Sequence, residues 1–106
     1  MKNIELNKVL RLEEEVGYFP GQIVSKTLKQ NANVSMTLFS FSKGEEISTH
    51  ESDGDAMVQV LDGTGKFTVG NKEHIVKKGE TLIMPAKIPH AVYGEENFKM
   101  LLTVVF

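Results

Sequence analysis

The chain contains no cysteine. Disulfides, thiolate zinc sites, iron–sulfur clusters and a cysteine nucleophile are thereby excluded, and a reducing compartment is the expected setting. Arginine is nearly missing as well, with Arg11 the only one. With 12 basic residues against 14 acidic ones, a net charge of −2 and no basic cluster, nothing suits a polyphosphate backbone, so nucleic acid is not an expected partner. Long apolar runs are absent. The late stretch Met100-Leu101-Leu102-Thr103-Val104-Val105-Phe106 falls far short of the roughly 20 residues that cross a bilayer. Met1-Lys2-Asn3-Ile4-Glu5 has no signal-peptide character, and a cytoplasmic protein with no membrane partner is the expectation. At 106 residues the chain reads as a single domain, with residues 1–21 as an N-terminal segment and residues 22–106 as its β-barrel. Any ligand must then sit inside that domain.

Helical patterning is confined to the start. Over residues 7–16, Val9, Leu12 and Val16 recur at spacings of three and four, with Glu13, Glu14 and Glu15 between them, which predicts two or three helical turns ending at Gly17. Phe19-Pro20-Gly21 is a turn, and residues 22–28 read as an edge strand. Residues 34–41 alternate Val34, Met36 and Leu38 against Phe39 and Phe41, so both faces need cover. From there glycine-bearing turns recur at Gly44, Gly54, Gly63, Gly70, Gly79 and Gly94, separated by strand-length segments. Many short strands and no later helical period predict an all-β sandwich or barrel. The last strand carries Phe98, Met100, Leu102 and Val104 on one face and Leu101, Thr103 and Val105 on the other. Two apolar faces call for two partners, the second being another sheet or another subunit, and a homodimer is expected.

Few residues can carry chemistry. Ser48, Thr49 and Ser52 lie near His50 without a glycine-framed nucleophile elbow, and the glycines of Asp62-Gly63-Thr64-Gly65 join two strands instead of opening a phosphate-binding helix. His50 and His90 each sit between glycines, and Pro89 fixes φ just ahead of His90. His74 lies outside both stretches and reads as a surface strand residue. Gln59, within Met57-Val58-Gln59-Val60-Leu61, is a polar group among apolar neighbours and a candidate to hold a ligand. Met36, Met57, Met84 and Met100 read as core, or as the lining of an apolar pocket for a small hydrophobic molecule.

Gly44, His50 and Gly63, followed by Gly79, Pro85 and His90, stand at the spacings of the two motifs of the cupin superfamily, which this sequence resembles from about residue 33 onward. It departs from them at four places. Ser52 stands where the second histidine belongs, Ala56 or Met57 where the glutamate belongs, Lys87 in place of the motif glycine and Gly94 in place of the asparagine. The resemblance implies a double-stranded β-helix, a jelly-roll barrel, in which His50 and His90 converge on the interior. It implies a divalent transition metal (iron, zinc, nickel, manganese or copper) held by His50 and His90; with the glutamate missing, Asp55, Asp53 and Gln59 are the candidates for a third donor, Asp55 first among them, beside a small-molecule pocket bordered by Ser52, Met57 and Gln59. Three functional classes remain open: a metal- or ligand-binding cupin, a metal-dependent enzyme such as a non-heme dioxygenase, and a metal-free sensing or dimer-forming module.

Overall fold

A computed structural model describes all 106 residues. Nine strands form two sheets: β1 (Ile23–Gln30), β2 (Val34–Phe41), β3 (Glu46–His50), β4 (Asp55–Asp62), β5 (Thr64–Val69), β6 (Lys72–Lys77), β7 (Thr81–Met84), β8 (His90–Gly94) and β9 (Phe98–Val105). One sheet runs β1-β2-β9-β4-β7 and the other β3-β8-β5-β6. Every neighbouring pair is antiparallel. The all-β jelly-roll expectation therefore holds, with one qualification: the two ladders do not join, so the barrel is open at its edges.

Strand alternation builds the core. Phe41, Val58, Val60, Phe98, Met100 and Val104 of the five-stranded sheet meet Phe67, Val76 and Val92 of the four-stranded one. The Phe98 ring stacks on Phe41 at 4.6 Å between centroids and meets Phe67 edge-on at 6.0 Å. Such pairings add about 0.5–1.5 kcal/mol each beyond area burial. Met84 and Met100 are buried here, as core residues between the sheets, the first of the two readings of the methionines. Met36 and Met57 lie half-buried on the outer face instead.

That outer face has its own cover. Val16 packs with Leu28, Leu38 and Leu101, joined by Ile4, Leu12, Val24, Met36 and Leu61. The N-terminal segment is thus a strap over the five-stranded sheet, not the two- or three-turn helix expected of residues 7–16. Only Leu12–Glu14 turns, as one 3-10 turn whose N-cap residue Arg11 makes no side-chain capping bond. A helix of ten residues barely offsets its nucleation cost. Contacts to the sheet win: the Lys26 Nζ donates to Glu15, the Tyr18 hydroxyl to Asp62 at 2.6 Å, and Ser40 Oγ to the Gly17 carbonyl at 2.7 Å. No helix is long and apolar enough to cross a membrane.

Two turn glycines separate backbone strain from crowding. Gly63 and Gly79 both have positive φ, at 70° and 85°. A Cβ on Gly79 would meet nothing within 4 Å, whereas one on Gly63 would lie 1.9 Å from the Asn97 carbonyl oxygen. In urea denaturation, Gly79→Ala is expected to cost about 1–2 kcal/mol, the left-handed penalty alone. Gly63→Ala is expected to cost at least about twice that, because the clash is with backbone.

Candidate functional site

The site forms at one end of the four-stranded sheet, where β3 meets β8. Val92 faces the core, so His90, two residues earlier, faces the same way, and its partner Val69 on β5 also packs against the core. His90 is only 4% exposed. By the same count Ile47 of β3, which pairs Val92 and packs on the core, would bring Thr49 inward and turn His50 out. The register intervenes. Ile47 opposes Val92 but His50 opposes His90, so three steps on β3 span two on β8. This β-bulge reverses the alternation and returns His50 to the inner face.

The two imidazoles meet edge to face, with centroids 4.2 Å apart and planes at 70°. Each ring is held by the same local device. His50 Nδ1 lies 2.9 Å from the Ser48 carbonyl and His90 Nδ1 lies 3.2 Å from the Ile88 carbonyl. A carbonyl only accepts, so each Nδ1 carries the proton and each Nε2 keeps its lone pair. This is the tautomer a metal-binding histidine uses. Burial pushes the His90 pKa below its ordinary 6.5; the Ile88 carbonyl opposes that shift, and the adjacent His50 adds to it. Neutral imidazole is thus favoured.

The remaining expected residues go elsewhere. Asp55, expected as the third ligand, is exposed, and its Oδ1 accepts the Ala86 N–H at 2.9 Å. No third His, Cys, Asp or Glu side chain joins the two imidazoles in a group that could hold a metal. Ser52, expected at the pocket edge, closes a turn: Oγ accepts the Gly54 N–H at 3.2 Å and donates to the Gly54 carbonyl at 3.1 Å. Met57 and Gln59 alternate with the buried Ala56, Val58 and Val60, and pair Thr103 and Leu101 on the outer face of the sheet. Strand parity therefore removes both from the interior. His74, read as a surface residue, is half-buried opposite Phe67 and lines a separate groove of about 180 Å³ with Val76, Glu80 and Leu82.

Asp55 and Ser52 still serve the site, by anchoring the corner that delivers His90. Alongside the Asp55 bond, the Lys87 N–H donates to the Ser52 carbonyl at 2.8 Å, and the Gly70 N–H donates to the Pro89 carbonyl at 2.8 Å. The loop after His50 is thereby tied to the loop before His90. Lys87 pays a conformational penalty there, with φ at 64° where the cupin motif has glycine. What the sequence reading missed was the bulge. Its one signal was the odd spacing between the core residue Ile47 and His50.

The chain matches the cupin domain family over residues 37–106, more than half its length. No curated protein matches it. Among solved structures it is similar to a conserved protein of unknown function from Streptococcus pyogenes, with 47% identity and a TM-score of 0.96 over 98% of this chain and 91% of that one. A cupin superfamily protein from Desulfitobacterium hafniense shares 30% identity with a TM-score of 0.94, covering 99% and 96%. A cupin 2 conserved barrel domain protein from Leptotrichia buccalis shares 54% identity with a TM-score of 0.90 over 92% of this chain. The chain spans only 47% of that protein.

Two outcomes follow from this geometry. Lys87→Gly is expected to raise stability by about 1 kcal/mol in urea denaturation by relieving the left-handed strain. The pH dependence follows from His90. Above 6.5 the ring is neutral folded or unfolded, and its contribution is fully present; as pH falls toward the lowered folded value, the unfolded chain takes up a proton that the folded one refuses. Stability should therefore drop as pH falls through about 6.5 toward the lowered folded value, and drop less in His90→Gln, as read by urea midpoints at each pH.

Proposed function

This chain belongs to the cupin domain family, and we propose that it binds a divalent transition metal through the Nε2 atoms of His50 and His90, with a small-molecule ligand completing the site. The observation that carries this reading is the pair of imidazoles 4.2 Å apart, each with Nδ1 engaged by a backbone carbonyl and Nε2 left as a donor. Imidazole nitrogen suits zinc, iron, nickel and copper. The residues present fit such an ion as a two-donor site, not as a three-ligand catalytic centre. Water or oxygen atoms of a ligand would fill the other positions. When bound, the ion would supply Lewis acidity to an oxygen placed there. The chain's own part is to hold two imidazoles with Nδ1 turned to a backbone carbonyl, one ring buried and one exposed. A dioxygenase would require a third protein donor, so binding is the stronger reading.

Homodimer formation is part of the same proposal. Beyond the strap, the outer face of the five-stranded sheet presents Ile83 and Val105, 52% and 58% exposed, beside half-buried Val34 and Met57. A second copy would cover it. Ile83→Asp should then reduce the mass measured by light scattering from two chains to one, and a wild-type monomer would count against this element.

The metal reading is tested on protein purified without a histidine tag. About one divalent metal per chain is expected by elemental analysis or zinc titration, with His50→Ala and His90→Ala each weakening binding by about tenfold or more. Failure of wild-type protein to take up any transition metal would leave the metal-free module as the better reading.

A further inference from the structure

We propose that β3 exchanges between two registers against β8, and that occupation of the histidine pair selects the bulged one. The selection rests on the metal-binding reading above; the exchange does not.

β3 is an edge strand with a single neighbour. Of its five residues only Ile47 is even partly buried. Register is strongly specified where one face of a strand is buried and weakly where both faces are polar, which describes Ser48-Thr49-His50 beyond the Ile47 anchor. At present three residue steps on β3 span two on β8. Moving the surplus residue past His50 into the following loop gives regular pairing, with Thr49 opposite His90 and the His50 ring turned to the outer face. The Ile47–Val92 pair need not move. On the far side, the Lys87 N–H to the Ser52 carbonyl and the Ser52–Gly54 turn fix the chain, so the rearrangement is confined to residues 48–51. The bulged register is favoured by the 2.9 Å bond from His50 Nδ1 to the Ser48 carbonyl, which bridges the bulge, and by the edge contact between the rings.

Only one of these registers presents both Nε2 atoms to a common ion. A metal therefore binds one state and shifts the population toward it, while the apparent affinity is reduced by the fraction of chains in the competent register. His90, buried and held by Pro89, is the permanent half of the site; His50 is the conditional half. Release needs a slip of one edge segment and leaves the aromatic core closed.

The test is backbone relaxation dispersion by NMR on the metal-free full chain, which reads microsecond-to-millisecond exchange. Exchange is expected at Ser48, Thr49, His50 and Glu51 and at His90, and should vanish with saturating Zn(II). Deleting Thr49 sets Ile47 and His50 two residues apart, so that His50 opposes His90 without a bulge. That variant is expected to lose the exchange and bind Zn(II) about threefold tighter or more. The exchanged pair Thr49→His with His50→Thr provides a second arm. If β3 has two registers, residue 49 meets His90 in the regular one and Zn(II) affinity stays within about threefold of wild type. If the bulge is fixed, affinity falls as in His50→Ala. Flat dispersion over residues 48–51 in the metal-free protein, or an exchanged pair that binds as weakly as His50→Ala, overturns the proposal. Exchange that is present, and is removed by the deletion, in a protein whose histidine signals ignore Zn(II) would sink the metal reading and leave the register exchange standing.

Discussion

Everything in this molecule depends on the two-residue alternation of its strands, held in phase by the aromatic cluster between the sheets. Phe41 and Phe98 stand opposite each other on β2 and β9, and Phe67 meets them from β5. All three are completely buried. A one-residue slip of β9 would send Phe98 and Met100 to the outer face and bring Lys99 and Leu101 in, at a cost no local interaction could offset. The same phase reaches β8 through Phe67 and Val92, and from there it decides that His90 points inward.

Against that rule, β3 obtains its functional direction by an exception. Its alternation counted from the core would spend the inner position on Thr49, and only the bulge gives it to His50. Bulges are tolerated where a strand has one neighbour and little buried surface, and β3 meets both conditions. The site thus joins a rigid half, set by the core, to an adaptable half at a sheet edge. The Asp55 carboxylate and the Ser52 main chain brace the corner, Asp55 Oδ1 accepting from the Ala86 N–H and the Ser52 carbonyl from the Lys87 N–H, while the Ser52 hydroxyl closes its own turn with Gly54. They give position at the expense of ligand number.

The strap shows the same competition between local and tertiary terms. Residues 7–16 have a helical spacing, but the groups that would stabilise a helix find better partners on the sheet. Glu15 meets Lys26 at 3.3 Å, and Tyr18 meets Asp62. Desolvation and the hydrogen bond to Asp62 raise the Tyr18 pKa, so the hydroxyl stays a donor across the physiological range. Lys99 lies 4.8 Å from the centre of that ring. Covering Leu38 and Leu101 in this way, the strap gives part of the outer face a partner within the chain, where a second subunit had been expected to supply one.

The glycine spacing and the alternating apolar residues were enough to read an all-β sandwich or barrel and the edge position of β1, because these properties are local or periodic along the chain; the resemblance carried by the motifs around His50 and His90 selected the jelly roll. The meeting of the two histidines was implied by resemblance, but its means was not legible. A bulge depends on which residue of β8 lies across from Thr49, a relation between segments some 40 positions apart. The misplacement of Gln59 and Met57 has the same origin, since alternation shows that they share a face with each other but not which face turns inward. Asp55 could be read as a ligand from its position in the chain, and only the fold shows it exposed with Oδ1 accepting the Ala86 N–H. Sequence alone determined the period of each strand and the chemistry of its side chains; phase, pairing and the reversal at β3 came only from packing two sheets together, because burial is a property of the assembled pair and not of either strand.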